Sequence, residues 1–140
     1  MNDKRRVLVV DDEARLREVI GRLLRSRFDV TTCASIASAR QQLAQIPFDA
    51  VVCDVMLDDG YGTDFFYEVR AVAPEKAARF VFASAAVDDV RVRARLEATG
   101  APYVCKPFVI STFLEIVTCL SEGRAPRRTS SARRLWVAHP

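Results

Sequence analysis

Five polar residues in this 140-residue sequence stand where short apolar runs end, and their side chains are of the kinds that bind metal and phosphate. Asp11 and Asp12 follow the run at 7–10, Asp54 follows 50–53, Ser84 follows 80–83, and Lys106 follows 103–105. If those runs are parallel strands, their carboxyl ends share one edge, where open α/β sheets collect ligands. Three carboxylates brought together repel one another, and a divalent cation relieves the repulsion. Mg²⁺ suits such a set because it takes oxygen ligands and keeps waters that a phosphate oxygen can replace. A lysine ammonium is a compact charge for phosphoryl oxygens, and a serine hydroxyl adds a hydrogen bond. Under a neutralising metal, one carboxylate can attack phosphorus and become an acyl phosphate.

The elements that would position these groups alternate along the whole chain. Val7, Leu8, Val9 and Val10 form a continuous apolar run, after which Leu16, Val19, Ile20, Leu23 and Leu24 recur at helical spacing. Residues 28–32 read as a second strand, with Ser35 as the N-cap of a helix striped by Ile36, Ala39, Leu43 and Ile46. Residues 50–53 give a third strand, and Phe65, Phe66 and Val69 mark the helix after it. Residues 80–83 give a fourth. Residues 88–99 then predict a helix with a thin apolar face, Val92 and Leu96, while Arg91, Arg93 and Arg95 point elsewhere. Residues 103–105 make a fifth strand, and Ile110, Phe113, Leu114, Val117 and Leu120 an amphipathic last helix. Strands apolar without alternation are covered on both faces. The expected fold is therefore α/β: a doubly wound, five-stranded parallel sheet of order 2-1-3-4-5 flanked by five helices.

Composition narrows the class further. Half of the residues are hydrophobic and 28% are charged, as in a globular chain with a substantial core. No apolar run approaches the ~20 residues of a membrane span, and the start lacks a signal-peptide pattern, so a cytoplasmic location is expected. Cys33, Cys53, Cys105 and Cys119 form no CxxC pair and read as inert thiols. The net charge of +3 divides into −1 over residues 1–120 and +4 over 121–140. A folded basic face for nucleic acid is not indicated. Residues 1–122 are expected to form one domain and 123–140 a basic, disordered tail carrying Arg124, Arg127, Arg128, Arg133, Arg134 and Trp136. His139 has no visible partner and is not read as a phosphotransfer histidine.

Several segments resemble the receiver domains of bacterial response regulators. Val9, Val10, Asp11, Asp12 and Glu13 are similar to the family's acidic pair after the first strand. Val51 to Leu57, with Gly62 eight residues past Asp54, resembles its phosphoacceptor segment. Phe82, Ala83, Ser84 and Ala85 resemble the strand that ends in its switch hydroxyl. Tyr103, Val104, Cys105, Lys106, Pro107 and Phe108 match its switch aromatic and lysine–proline turn. The resemblance spans about residues 5–120. It implies Asp54 as phosphoacceptor, and Asp11, Asp12, Asp54 and the Met56 backbone carbonyl as the Mg²⁺ site. Lys106 would bind the phosphoryl group and Ser84 would swing toward it. Tyr103 would rotate inward and alter the surface of the fourth helix, fifth strand and fifth helix. A cis Lys106–Pro107 peptide is implied as well.

The partners so implied are a histidine kinase or histidine phosphotransfer protein as donor and a downstream effector protein. A homodimer on phosphorylation stays open, and a membrane is not expected. Such a chain would be no enzyme beyond its own phosphorylation and dephosphorylation. Asp58, where many receivers have proline, and Tyr61, where aspartate is common, depart from the pattern. Residues 84–106 also resemble receivers of hybrid histidine kinases, so a module of a hybrid kinase or phosphorelay is an alternative to a stand-alone receiver.

Taken singly, each residue has a plainer reading. Asp11, Asp12 and Glu13 suit a helix N-terminus, Asp54 a turn, Lys106 a solvated surface and Pro107 the first position of a helix. Three rival functions remain. A haloacid-dehalogenase-type phosphohydrolase wants a second aspartate two residues past its nucleophile, where Met56 stands. A flavin or nucleotide binder wants a phosphate loop after the first strand, where acids stand instead. A pseudo-receiver that only binds partners would not need the complete acidic set.

Overall fold

A computed structural model describes residues 4–126. Along the chain run β1 (Arg6–Val10), α1 (Ala14–Arg25), β2 (Asp29–Cys33), α2 (Ile36–Gln45), β3 (Ala50–Cys53), β4 (Met56–Leu57) and β5 (Gly60–Tyr61). There follow α3 (Gly62–Val72), the one-turn α4 (Pro74–Ala77), β6 (Phe80–Ser84), α5 (Val90–Thr99), β7 (Tyr103–Cys105) and α6 (Ile110–Ser121). Five strands form one parallel sheet in the order β2-β1-β3-β6-β7, which is the expected 2-1-3-4-5 order, flanked by helices.

Continuous apolar strands are required because both faces of this sheet are covered. Side chains alternate across the pleat, so Leu8, Val10, Val51, Cys53, Phe80 and Phe82 join Phe65, Phe66, Val92 and Leu96 in one core. Val7, Val9, Val52, Val81, Ala83 and Val104 face Ile20, Leu24, Phe113, Ile116, Val117 and Leu120 in the other. Each fully buried Val or Leu contributes about 1.5–3 kcal/mol. In the first core, the rings of Phe65, Phe66, Phe80 and Phe82 lie 5.5–6.0 Å apart in tilted and edge-on pairs. That spacing favours their quadrupoles.

Helix ends follow local chemistry. Ser35 Oγ accepts from the Ser38 backbone N–H at 3.1 Å, so the expected N-cap of α2 is in place. Asp89 caps α5 by accepting from the N–H groups of Arg91 and Val92, which starts that helix at Val90 rather than at residue 88. Gly100 ends α5 in the left-handed region, φ 72°, where a side chain would be strained.

The second strand lies one residue later than its apolar run suggests, and the hairpin β4–β5 and the turn α4 carry no apolar period to announce them. Val19 and Ile110, read as members of apolar stripes, are 52% and 51% exposed. The thin face expected of α5 is real: its buried residues are Val92, Leu96 and Thr99. Of the tail expected at 123–140, residues 123–126 are described and pack on the end of α6, the Arg124 N–H donating to the Cys119 carbonyl at 2.8 Å and Pro126 being buried; residues 127–140, with Trp136 and His139, lie outside the described residues. Among the described residues, no helix is long and apolar enough to cross a membrane.

Candidate functional site

Strand register gathers the polar residues. Val10 pairs with Cys53 across β1 and β3, which sets Asp11 beside Asp54, and the Asp54 N–H donates to the Val10 carbonyl at 2.9 Å. Ser84 pairs with Cys105 across β6 and β7, and the Lys106 N–H donates to the Ser84 carbonyl at 2.9 Å. The four strand ends thus deliver Asp11, Asp12, Asp54, Ser84 and Lys106 to one edge. No local feature of the sequence could do so, since Asp11 and Lys106 are 95 residues apart.

One ligand oxygen from each of Asp11, Asp12 and Asp54 lies within 4.8 Å of the others, close enough to hold a metal ion together. Lys106 Nζ donates to Asp11 Oδ2 at 2.6 Å and to Asp54 Oδ2 at 3.3 Å. These side chains are poorly hydrated, 7% exposed for Lys106, 2% for Asp11 and 16% for Asp54. Burial pushes the Asp54 carboxyl above its ordinary value, the Lys106 ammonium opposes this, and the Asp11 charge adds to it. Burial also raises the Asp12 carboxyl, helped by the charge and hydrogen bond of neighbouring Asp58 and by Asp11. Three carboxylates with one ammonium leave a surplus of two negative charges, which a divalent cation matches.

Backbone contacts hold the carboxylates in place. Asp11 Oδ1 accepts from the Glu13 N–H at 2.9 Å, and Arg17 donates to the Asp11 carbonyl at 2.7 Å. Asp54 Oδ1 accepts from the Val55 N–H at 2.7 Å. Ser84 is buried, and its Oγ accepts from the Ala86 N–H at 3.1 Å. Tyr103 is also buried, with its hydroxyl donating to Glu97 Oε1 on α5 at 3.4 Å. Met56 begins β4 two residues past Asp54, with its side chain half exposed. The Lys106–Pro107 peptide is cis.

Asp59 escapes a reading of the sequence, and what Asp58 and Gly62 touch is visible only in the fold. Asp59 accepts from the N–H groups of Ile36 and Ala37, each at 3.0 Å, and so caps α2 from the loop that follows Asp54. Those two hydrogen bonds hold its carboxyl below the usual range. Asp58 is exposed, as a turn aspartate would be, yet its carboxyl reaches Asp12. Gly62 abuts the end of β3 so closely that a Cβ would sit 2.0 Å from the Asp54 carbonyl oxygen. The Asp-Asp-Gly run at 58–60 signals a turn but not what its carboxylates touch.

A five-stranded doubly wound sheet with an acidic, lysine-bearing pocket at its carboxyl edge defines a receiver-type domain. A family model for the response regulator receiver domain matches residues 7–118, and the chain belongs to that family. It is 41% identical over 109 residues to the probable transcriptional regulatory protein TcrX of Mycobacterium tuberculosis, covering 74% of this chain and 44% of the relative. It is 34% identical over 133 residues to the transcriptional regulatory protein PrrA of Mycobacterium leprae, covering 94% of this chain and 56% of that one. The chain therefore spans about half the length of these curated relatives. Among solved structures, a putative response regulator from Chloroflexus aurantiacus superposes with a TM-score of 0.76 at 26% identity, over 86% of this chain and 99% of that one.

Proposed function

We propose that this chain is a phosphoacceptor switch of two-component signalling in which Asp54 takes a phosphoryl group from a histidine kinase or histidine phosphotransfer protein. The observation that carries the reading is the pocket itself: Asp11, Asp12 and Asp54 within ligand distance of one another, with Lys106 donating to two of them. An Asp54 carboxylate oxygen attacks phosphorus as the P–N bond of the donor phosphohistidine breaks. The imidazole leaves with the bond's electron pair and gains a proton. Asp11, Asp12, Asp54 and the Met56 carbonyl would hold Mg²⁺, which when bound neutralises charge on the phosphoryl oxygens. Lys106 exchanges its contact with Asp54 for a phosphoryl oxygen, which keeps its charge partnered.

Ser84 then gives up the Ala86 N–H and turns its hydroxyl toward the phosphoryl group. The Tyr103 ring is already buried, so its response is a change of partner at Glu97 rather than a large change of exposure. The output is a shift in the population of surfaces around α5, β7 and α6, read by an effector protein. The chain acts on no separate substrate and catalyses only its own phosphorylation and dephosphorylation, in the cytoplasm. The same chemistry serves a stand-alone receiver or a module of a longer chain.

Intact-mass analysis after incubation with acetyl phosphate tests the reading, with and without Mg²⁺ and on Asp54→Asn. A single phosphoryl adduct that needs both Mg²⁺ and Asp54 is expected. A folded, Mg²⁺-binding chain that gains an adduct equally well as Asp54→Asn would overturn the assignment. A folded chain that binds no Mg²⁺ and takes no phosphoryl group would point to the pseudo-receiver.

A further inference from the structure

Tyr61 and Arg95 depart from solvated surface behaviour in a way the acceptor chemistry does not use. The Arg95 guanidinium on α5 stacks over the Tyr61 ring, 3.7 Å from its centroid. The same guanidinium lies 3.5 Å from Asp64 Oδ1 in the first turn of α3. Tyr61 closes the hairpin β4–β5 and immediately precedes Gly62, which is wedged against the Asp54 carbonyl. The Gly62 N–H also donates to the Val55 carbonyl at 2.7 Å. Gly62 thus links Tyr61 to the backbone of Asp54 and Val55. The helix α5 is itself only lightly anchored, with Val92, Leu96 and Thr99 as its buried residues. A helix held by so little burial depends on its few lateral contacts.

We propose that Arg95 is a positioning residue that ties α5 directly to the acceptor loop, alongside the path through Ser84 and Tyr103. The Tyr61–Arg95–Asp64 contact makes opening of α5 and displacement of residues 56–61 one coupled event. It rests on the reading of Asp54 as phosphoacceptor only for the signal carried, since the mechanical tie exists in the unphosphorylated chain. Arg95 touches no reacting atom. Its role is to bias which position of α5 accompanies which position of the loop, and that bias acts equally in both directions.

Backbone amide exchange followed by mass spectrometry tests the tie on the full chain. In the unphosphorylated protein, Arg95→Ala and Tyr61→Ala should each raise exchange over residues 90–99 by about two- to fivefold, the size of a surface cation–π contact. Arg95→Ala should also raise exchange over residues 56–61, although none of those residues is changed. The double variant should be no worse than Arg95→Ala, and Tyr61→Phe, which keeps the ring, should match wild type. Additive single effects, or an unaltered 56–61 segment in Arg95→Ala, would overturn the proposal.

After phosphorylation verified by intact mass, the change in exchange over 90–99 should be smaller in Arg95→Ala than in wild type. An equal change would overturn the transmitting role. If no adduct forms on a folded chain, the phosphoacceptor reading fails, while the unphosphorylated comparison still decides the tie.

Discussion

Gly62→Ala puts the packing of the acceptor segment to a direct test. Gly62 has no positive φ, so an alanine there meets no backbone strain, and its whole effect is steric. The added Cβ would lie 2.0 Å from the Asp54 carbonyl oxygen and 2.9 Å from Cys53 Sγ, where ordinary contact begins at 3.4 Å. One wall must therefore retreat by about 1.4 Å, the difference between those two oxygen distances. Neither wall is a flexible side-chain end: Asp54 is tied to Val10, Gly62 to Val55, and Cys53 is fully buried.

Overpacking of this kind costs about 1–3 kcal/mol, and rigid walls on both sides place it near 3. For a domain of this size that is a fall in Tm of about 10 °C. The retreat also displaces the Asp54 carboxylate by about 1 Å, enough to slow phosphoryl transfer by up to ~100-fold. Gly100→Ala is the control, because its φ is +72° but nothing lies within 4 Å of the added atom. That variant should lose about 1 kcal/mol from the left-handed backbone alone and phosphorylate normally. Thermal melts and the rate of adduct formation from acetyl phosphate decide the matter. A Gly62→Ala protein that melts with wild type, or accepts phosphate at the wild-type rate, would refute the packing argument.

Two further outcomes follow from groups around the site. Asp59→Ala should cost about 1 kcal/mol at neutral pH, as loss of a helix cap does, measured by urea denaturation. Because the folded carboxyl is held below its unfolded value of 3.8, its stabilisation is present above that value and disappears as pH falls through the lower folded value. The gap between wild type and variant should therefore be constant from about pH 5 upward and close below about pH 3.8; a gap that persists in acid would show that the carboxylate is not its source. In thiol labelling near neutral pH, Cys105, the only half-buried cysteine, should react first. Cys33, pushed up to about 11 by burial, and Cys53, raised by burial and the Asp54 charge, should react only when the fold opens. Labelling of Cys33 as fast as Cys105 without denaturant would contradict that order.

Much of this protein is written locally. The apolar runs at 7–10, 50–53, 80–83 and 103–105 fall within observed strands because a doubly covered sheet leaves no room for polar alternation. The period of Phe113, Val117 and Leu120 is likewise legible, since one face of a helix must meet the core. The order of elements determines the topology, as parallel strands joined by helices admit few arrangements. From the residues at the strand ends, the candidate site and its chemistry follow.

Where a residue's role depends on what another element brings, the sequence is silent. Val19 and Ile110 have the right spacing to be buried, yet Val19 stands midway along α1 beside the buried face of Ile20, Gly21 and Leu24, and Ile110 is the first residue of α6. Asp58 and Asp59 are adjacent and alike in type, but the hairpin turns one toward Asp12 and the other onto the N-terminus of α2. Arg91, Arg93 and Arg95 read as one basic run, and only the packing of α5 on α3 selects Arg95 to stack on Tyr61. Hydrophobic periodicity follows from averages over many residues, whereas the partner of a charged side chain depends on a single distance. Those distances exist only once the sheet has closed and its carboxyl edge has brought residues 11, 54 and 106 within reach of one another.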